Sequence, residues 1–332
     1  MRKAVDVRSL TKRYKVPVKQ EGIGGALRGI LRPEYRVNEA VKGIDIGIEP
    51  GETVGFIGPN GAGKTTVLKM CSGILFPTSG YVRILGHEPS LRKREYLRQI
   101  SFVMGQRSQL WWDIPAIDSF ALNRDIYEIP EKRFRQRVDD LSSALSVRPL
   151  LSVPLRNLSL GERMKMEIIG SLLHDPKIVF LDEPTIGLDL TSQRSLRSFV
   201  GEYSRSGGTT IMLTSHYMED IVTLCRRIIV ISEGRIVYDG SLEEAKRRMG
   251  GGQIVKVRFA SLPEEEWLDQ RRDVLMSCRD YDFTFRLERE RVPDFIASTG
   301  RWMPVDISVE EPPIEDTIER LYGKENPHAE VT

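Results

Sequence analysis

The sequence has 332 residues, with 49 Lys and Arg against 47 Asp and Glu and a formal net charge of +2 at pH 7. This length predicts two domains, and the near-neutral charge argues against a protein that binds nucleic acid or an anionic membrane through a large basic surface. The three cysteines are widely spaced, which is typical of a reducing compartment and gives no metal-ligand pattern.

Neither a membrane span nor a secretion signal is evident in the sequence. Every strand-like apolar run ends at a charged residue before it reaches the ~20 apolar residues that a spanning helix needs. The first residues lack the long apolar core of a signal peptide. We therefore expect a cytoplasmic protein whose contact with a membrane runs through a protein partner.

A glycine-rich loop lies between a predicted strand and a predicted helix. Glu52 to Ile57 is typical of a short buried strand, and Thr66 to Met70 continues as a helix. The residues between them fill every position of the phosphate-binding pattern GxxxxGK[ST], namely Gly58, Pro59, Asn60, Gly61, Ala62, Gly63, Lys64, Thr65 and Thr66. Because the pattern is complete and correctly flanked, a purely structural turn is disfavoured.

Each residue type in this loop has a reason to meet a phosphate. Gly58, Gly61 and Gly63 can adopt positive φ and point backbone N–H groups inward. The helix dipole favours negative charge, Lys64 supplies a point charge to the β and γ phosphates, and the Thr65 hydroxyl can ligate Mg²⁺. The loop therefore predicts a nucleoside triphosphate and Mg²⁺ as ligands.

The next segments predict a strand, an apolar loop and an amphipathic helix. Ile100 to Gly105 is strand-like and is followed by Gln106. Leu110 to Pro115 contains two tryptophans and would form an apolar patch if it were not buried. Arg133 to Val147 has apolar residues at spacings of three and four, which predicts a helix.

A second phosphate-facing helix start is predicted at Leu158-Ser159-Leu160-Gly161-Glu162-Arg163. Ser159 is a good N-cap, and Glu162 follows it at the spacing of a capping box. Such a helix start can face a phosphate. The alternative is that Ser159 only caps the helix.

Two later apolar runs end in residues that can do chemistry. Ile178 to Asp182 is typical of a buried parallel strand and is followed by Glu183, and Thr210 to Ser215 leads to His216. Because parallel strands deliver their carboxyl ends to one crevice, we expect Asp182 to hold Mg²⁺ and Glu183 to orient or deprotonate the attacking water. A lone histidine at a strand end is more often structural, so a catalytic role for His216 depends on the convergence of these signals.

The C-terminal part of the sequence predicts a small α+β accessory domain at 251–332, after a first domain at 1–250. Gly250-Gly251-Gly252 marks the break. Beyond it, Ile254 to Phe259 and Phe283 to Leu287 alternate like strands, and Thr317 to Tyr322 is helix-like. We see no catalytic constellation there and expect a role in regulation or dimer contact.

Taken in order, these motifs resemble those of the ATP-binding subunit of an ABC (ATP-binding cassette) transporter, over about residues 3 to 247. The resemblance implies an α/β fold, a P-loop NTPase of ABC type with a mixed sheet core and a helical subdomain at about 107–175. It implies ATP and Mg²⁺ as ligands, with Lys64, Gln106, Glu183 and His216 as catalytic residues and Thr65, Gln106 and Asp182 as metal ligands. The C-terminal domain is similar to endings found in drug-export and polymer-export members.

The resemblance also implies a head-to-tail dimer. Ser159 and Gly161 would contact the γ phosphate of ATP bound by a partner subunit, which is a second copy of the chain or a homologous ATPase subunit. Gly187-Leu188-Asp189 would pass information between the two sites. Leu160 and Glu162 stand where the family usually has glycine and glutamine, and Glu162 would bring negative charge near the triphosphate unless it folds back onto its own helix cap.

Two further positions follow from the resemblance. Gln106 stands where the family has a glutamine that senses Mg²⁺, with Gln109 as the alternative. The region beyond it lines, in the family, the groove for a short helix of the membrane-spanning subunit. Trp111 and Trp112 suit that interface, and packing inside the helical subdomain is the alternative.

The family stacks adenine on an aromatic residue near the end of the first strand. The strand pattern from Val5 to Leu10 favours Tyr14 for this role, with Lys15 to Pro33 as an inserted loop. An ungapped count back from Gly58 favours Tyr35 instead. We prefer Tyr14.

The sequence thus predicts an ATPase that powers a separate integral membrane permease, in an exporter. The protein would be attached peripherally to the inner face of the cell membrane through that permease, and no nucleic-acid partner is expected. The alternative is a non-transport ABC ATPase acting in DNA maintenance or on ribosomes. A single cassette and the lack of a sustained heptad run disfavour it.

Overall fold

The computed structural model describes residues 3–17, 35–249 and 252–321. The chain divides into two compact units, Met1–Asp239 and Gly240–Thr332. The division precedes the charged helix Leu242–Met249, whereas the predicted boundary at Gly250 follows it, because this helix packs against the helix Ile314–Leu321. Of the Gly250-Gly251-Gly252 segment that was predicted to mark the break, Gly250 and Gly251 lie outside the described residues.

The strands of the described residues are numbered in chain order. They are β1 Val5–Pro17, β2 Tyr35–Ile48, β3 Thr53–Ile57, β4 Ser79–Ile84, β5 Ile100–Met104, β6 Ile178–Asp182, β7 Thr210–Thr214, β8 Arg227–Ser232, β9 Arg235–Ser241, β10 Gln253–Phe259, β11 Leu275–Arg279, β12 Asp282–Leu287 and β13 Pro304–Glu310.

The α-helices are numbered in the same way. They are α1 Lys64–Cys71, α2 Arg94–Leu97, α3 Ala116–Tyr127, α4 Glu131–Ala144, α5 Leu160–Leu172, α6 Leu190–Gly207, α7 Met218–Leu224, α8 Leu242–Met249, α9 Glu265–Asp269, α10 Val292–Thr299 and α11 Ile314–Leu321. Short 3₁₀ helices lie at Pro89–Leu91, Arg148–Leu150, Leu155–Asn157, Arg289–Arg291 and Gly300–Trp302.

A six-stranded sheet forms the centre of the first unit, in the order β5-β6-β7-β3-β8-β9. The ladders from β5 to β8 are parallel, and β6 and β7 are buried along their whole length, as expected for central parallel strands. In register, Met104 lies opposite Asp182, and Asp182 lies opposite Thr214. The carboxyl ends of β5, β6 and β7 therefore meet at one edge of the sheet.

A three-stranded antiparallel sheet, in the order β2-β1-β4, packs against the same core. Val67, Leu68 and Met70 of α1 are buried between residues of the two sheets, which fixes the start of α1 against the strand ends. β1 extends to Pro17, so the first residues of the predicted inserted loop are strand. The rest of that loop, 18–34, lies outside the described residues.

Between β5 and β6 the chain forms the helices α3, α4 and α5. α4 is amphipathic, with Phe134, Val138 and Leu141 buried, and it begins and ends slightly earlier than the predicted helix. α5 packs against α3, α4 and β5, so it joins this helical region to the sheet.

The second unit contains a four-stranded antiparallel sheet in the order β11-β12-β10-β13. α9 and α10 lie between its strands along the chain, giving a βαββαβ succession. An apolar core of Val255, Val257 and aromatic residues joins the sheet to the helices. In that core the rings of Trp267 and Phe285 meet edge to face, with centroids 5.9 Å apart.

Candidate active site

The loop between β3 and α1 adopts its conformation for two different reasons. Gly61 and Gly63 have φ of 79° and 110°, values that favour glycine, and Gly63 caps α1. The prediction of positive φ was wrong for Gly58. A Cβ there would lie 2.1 Å from the carbonyl oxygen of Ile231, so glycine is needed because the loop approaches the backbone of β8 closely.

Lys64 begins α1 and is only 5% exposed. Its Nζ donates to the carbonyl oxygen of Gly58 at 2.6 Å and to that of Pro59 at 3.1 Å. Burial lowers the pKa of Lys64, while the carboxylates of Glu183 and Asp182 act to raise it. A cavity of about 210 Å³ lined by Ala40, residues 60–66 and Glu183 lies beside it. A helix start and an ammonium group on one cavity suit a polyanion.

Asp182 ends β6 and is held by two hydroxyl groups. Thr65 Oγ1 donates to Asp182 Oδ1 at 3.0 Å, and Thr214 Oγ1 donates to the same oxygen at 2.8 Å. The structure thus brings together Thr65 and Asp182, two of the predicted metal ligands. Thr214, at the end of β7, is a supporting residue that the sequence analysis missed, although its position just before His216 was a usable signal.

Glu183 lies in a left-handed backbone conformation with φ of 54°, which is uncommon for a residue other than glycine. Its N–H donates to Thr214 at 3.0 Å. A Cβ at Gly105 would lie 2.0 Å from the Glu183 carbonyl oxygen, so this glycine lets β5 end against the Glu183 turn. His216 Nε2 lies 2.8 Å from Glu183 Oε1. The predicted base and the predicted histidine are therefore in direct contact.

A buried acid supports both of these residues and was also missed. Asp220 of α7 is 1% exposed and accepts hydrogen bonds from Thr185 Oγ1 at 2.5 Å and Ser215 Oγ at 2.6 Å. Arg197 Nε of α6 lies 2.9 Å from its other oxygen. Thr185 and Ser215 flank Glu183 and His216 closely in sequence, so Asp220 fixes the turns that carry them. The sequence signal for Asp220 was its position four residues, about one helical turn, after His216.

Gln106 lies where Mg²⁺ is predicted, whereas Gln109 does not. A second cavity of about 210 Å³ is lined by Gln106 together with Thr65, Lys69, Met104, Gly105, Arg107, Asp182 and Glu183. Gln109 Nε2 instead donates to the carbonyl oxygen of Phe102 at 2.5 Å. The geometry therefore favours Gln106 over Gln109.

The start of α5 has the predicted capping box. Glu162 N donates to Ser159 Oγ at 3.3 Å, and Glu162 Oε2 accepts from Ser159 N and Ser159 Oγ, both at 2.8 Å. The Ser159 backbone N–H lowers the pKa of the Glu162 carboxyl, so this charge folds onto its own cap as expected. A Cβ at Gly161 would lie 2.1 Å from Ser192 Oγ, so glycine lets α5 pack on the start of α6.

Ser159 and Gly161 do not join the other predicted site residues within this chain. Among the described residues, neither of the two cavities beside Lys64 and Asp182 is lined by Ser159 or Gly161. The two helix starts that were predicted to face phosphate therefore border different surfaces of the described chain.

Tyr14 and Tyr35 lie on the same β1–β2 ladder, opposite Asn38 and Pro17 respectively. Tyr14 is half-buried, and Lys12 Nζ lies 5.3 Å from its ring centroid. Asn38 is two residues from Ala40, which lines the cavity beside Lys64, so Tyr14 is nearer to that cavity along the ladder.

The tryptophan segment is exposed at the surface of the helical region. Trp111 and Trp112 are 60% and 47% exposed, and Arg163 stacks on Trp112 with its guanidinium 4.6 Å from the ring centroid. The alternative prediction, that these two side chains pack inside the helical subdomain, does not fit their exposure. The neighbouring Leu110 is buried and lines a larger cavity of about 580 Å³.

Comparisons with known proteins show the family of the chain. The ABC transporter family profile matches residues 41–186. The ABC transporter ATP-binding protein NatA of Bacillus subtilis (strain 168) is 34% identical over 213 residues, covering 64% of this chain and 86% of NatA. The chain belongs to the ABC transporter ATP-binding proteins. This ABC protein is accordingly an ATPase, the nucleotide-binding subunit of a transporter.

Two further comparisons concern drug resistance and fold. The daunorubicin resistance ATP-binding protein DrrA3 of Streptomyces coeruleorubidus is 33% identical to this ABC protein over 224 residues, covering 66% of this chain and 69% of DrrA3. A solved dimeric ATP-binding cassette in a post-hydrolysis state, bound to ADP and Pi, shares the fold with a TM-score of 0.60 at 22% identity. That match covers 71% of this chain and 98% of the solved chain.

The site of this ABC protein fits Mg²⁺ by the chemistry of its donors. The candidates are the Thr65 hydroxyl, the Asp182 carboxylate and the Gln106 amide, all of which offer oxygen. Within the described ranges there is no group of three or more His, Cys, Asp or Glu able to hold a metal. Mg²⁺ is commonly held by one or two carboxylates, waters and substrate phosphates rather than by such a cage.

The structure can also be searched for helices that could span a membrane. Within the part of this ABC protein that the structure describes, no helix combines the length and the apolar character needed to cross a bilayer.

Proposed function

We propose that two copies of this protein associate head to tail and hydrolyse two ATP molecules to drive a separate permease, in an exporter. The observation that carries the proposal is the separation of the two phosphate-facing helix starts. Lys64 borders one cavity with Asp182 and Glu183 nearby, whereas Ser159 lies on another surface of the described chain. Each surface is incomplete by itself, and a second copy supplies the missing half.

Within each site, the residues have distinct proposed roles. Lys64 and the backbone amides of the loop hold the β and γ phosphates, and Tyr14 stacks on adenine. Glu183 takes the proton of the attacking water as a general base, and His216, in contact with Glu183 Oε1, orients that carboxylate. The partner's helix start contributes the Ser159 hydroxyl and the Gly161 N–H to the γ phosphate.

Thr65, Asp182 and Gln106 would hold Mg²⁺ in this proposal. When bound, Mg²⁺ neutralises charge on the β and γ phosphate oxygens. Thr214 keeps the Asp182 carboxylate turned toward Thr65 through its 2.8 Å hydrogen bond.

The permease docks, in this proposal, on the larger cavity of about 580 Å³. Its walls come from both halves of the first unit, with Ile74, Leu97 and Met104 on the sheet side and Leu110 and Ile126 on the helical side. Ile74 and Ile126 are 50% and 56% exposed, so the rim has accessible apolar side chains, and Arg92, Arg94 and Arg98 also line the cavity. A short amphipathic segment of the membrane protein fits such a groove.

The direction of transport is supported by the relatives. DrrA3 is named for resistance to daunorubicin, and a cell can resist a toxic compound by exporting it. We therefore propose export of a compound from the cytoplasm, with the protein attached to the inner face of the membrane through its permease.

Ile126→Asp tests the docking surface. A charge on this half-exposed side chain is expected to reduce copurification of the integral membrane partner at least about tenfold, because burying a carboxylate against apolar side chains of the partner is costly. The measurement is affinity purification of the tagged protein from detergent-extracted native membranes, with identification of the multi-spanning protein that accompanies it.

Leu122→Asp is the matched control. Leu122 is 40% exposed on the same helix, α3, but does not line the cavity. The control variant should retain the partner. Equal retention by the Ile126 and Leu122 variants, both folded by thermal unfolding, would place the permease elsewhere, and the absence of any membrane protein with the unmodified chain would contradict the proposed transport role.

A further inference from the structure

Glu167 is a buried acid on α5 that no step of the proposed reaction uses. It is 6% exposed, although a carboxylate is rarely buried unless it has hydrogen-bond partners. Its Oε1 accepts from Ser108 Oγ at 2.5 Å, from Gln109 N at 3.0 Å and from Leu110 N at 3.2 Å. Burial raises the pKa of the Glu167 carboxyl, and these three hydrogen bonds act in the opposite direction.

The segment that Glu167 holds is the continuation of the Gln106 turn. Arg107 N donates to Met104 O at 3.1 Å and closes that turn, and Gly105 N donates to Asp182 O at 2.9 Å. Gln106 is therefore fixed on its N-terminal side by the sheet and on its C-terminal side by Glu167. Two residues beyond Gln106, the chain is bound to α5 and no longer to β6.

The other end of α5 carries the proposed contact to the partner's ATP. Glu167 is eight residues beyond Ser159, about 12 Å along one continuous helix. A hydrogen-bonded helix transmits a displacement along its length with little internal deformation. A shift of the Ser159 end is thus passed to the carboxylate that holds residues 108–110.

We propose that Glu167 is a positioning residue that ties the Gln106 turn to the helix beginning at Ser159, so that closure of the dimer on ATP also sets the position of Gln106. This inference rests on the proposed function, because it uses the roles assigned there to Gln106 and Ser159. Glu167 also lines the cavity proposed for the permease.

The competing explanation is that Glu167 only satisfies buried N–H groups and stabilises the fold. Both explanations predict some loss of stability for Glu167→Gln, since one of the two carboxylate oxygens that accept from Gln109 N becomes an NH₂ group. They differ in whether the effect on catalysis passes through Gln106. A double-mutant cycle between Glu167 and Gln106 separates the two explanations. If the two residues act independently, the fold losses in kcat of the single variants multiply in the double variant, and if Glu167 acts through Gln106 they do not.

The experiment uses full-length protein carrying Glu167→Gln, Gln106→Ala or both substitutions. For each variant it measures kcat and KM for ATP hydrolysis and the melting temperature. Glutamine keeps the size of the side chain but places an NH₂ group against the N–H of Gln109. We expect Glu167→Gln to lower kcat by about tenfold while KM changes by less than about threefold, since a misplaced active-site group costs mainly turnover. The double variant should turn over no more slowly than Gln106→Ala alone.

Arg137→Met is the matched control. Arg137 on α4 donates to Leu172 O on α5 at 2.8 Å, so this change also removes a polar link to α5, and Arg137 lines neither the permease cavity nor the two cavities beside Lys64 and Asp182. Its kcat should stay within about twofold of the unmodified protein. A tenfold loss in this control, or a double variant that is slower by the product of the two single losses, would overturn the proposal.

The outcomes also separate this inference from the proposed function. If the unmodified protein hydrolyses ATP and Gln106→Ala slows it, but Glu167→Gln acts additively, only the positioning role fails. If Gln106→Ala leaves kcat unchanged, the assigned role of Gln106 fails and the route from Glu167 fails with it.

Discussion

Glu183→Gln is expected to lower kcat for ATP hydrolysis by about 10³-fold while ATP binding is retained. The amide cannot accept the proton of the attacking water, and removal of a general base typically costs about 10² to 10⁴ in rate. The side chain keeps its size, so the left-handed turn at φ of 54° and the contact with His216 are preserved in outline. Steady-state phosphate release and equilibrium binding of ATP measure the two quantities separately.

Glu219→Gln serves as the control for this prediction. Glu219 pairs with Arg197 at 2.8 Å but is largely exposed, and it lies outside both cavities beside the loop. Its loss of charge should leave kcat within about twofold. Hydrolysis at the unmodified rate by the Glu183→Gln protein would remove Glu183 from the role of base.

Lys64→Ala is expected to weaken ATP binding by about 10²-fold and to lower turnover with it. Lys64 is 5% exposed and lines the cavity, and its Nζ is held at the loop by the carbonyl oxygens of Gly58 and Pro59. Two charge-assisted hydrogen bonds to phosphate, at about 1.5 kcal/mol each, account for a loss of this size. Titration with a fluorescent ATP analogue measures the affinity.

Lys64→Arg gives the comparison that isolates geometry from charge. Arginine keeps the positive charge, but its planar guanidinium does not fit the space that Nζ occupies between two carbonyl groups. An affinity between those of the unmodified and alanine proteins is therefore expected. Equal binding by the unmodified and alanine proteins would show that Lys64 does not contact the triphosphate.

Local patterns predicted the elements that carry the site. The strands that end at Asp182 and Thr214, the helix that begins at Lys64 and the capping box at Ser159 and Glu162 all have short-range sequence signals, and the structure contains them. Because each signal involves residues within one turn or one strand, no knowledge of the tertiary fold was needed.

The residues that were missed or misinterpreted depend on contacts between distant segments. Gly58 was assigned a positive φ, whereas its actual constraint is the Ile231 carbonyl oxygen on β8. Asp220 and Glu167 have no motif around them, and their hydrogen-bond partners lie five or more residues away in the chain. Only the packing of α5 and α7 against the strand ends reveals what these acids hold.

The first strand illustrates the same limit at the level of an element. The alternation ending near Tyr14 gave no reason to extend β1, yet β1 reaches Pro17 because β2 pairs with it as far as Tyr35. Pairing between strands separated by a long connection is a tertiary property, and strand ends are the part of a sequence-based prediction that depends on it most.

Mixing two singly defective proteins tests the central claim most directly. Lys64→Ala disables the loop surface, and Ser159→Asn disables the helix-start surface while keeping an N-cap. The ATP turnover of each variant alone should be at least about tenfold lower than that of the unmodified protein. Random pairing gives about half mixed dimers with one intact site of two, so the mixture should recover about a quarter of the unmodified turnover. A mixture no faster than the mean of its two components would contradict a site shared between two copies.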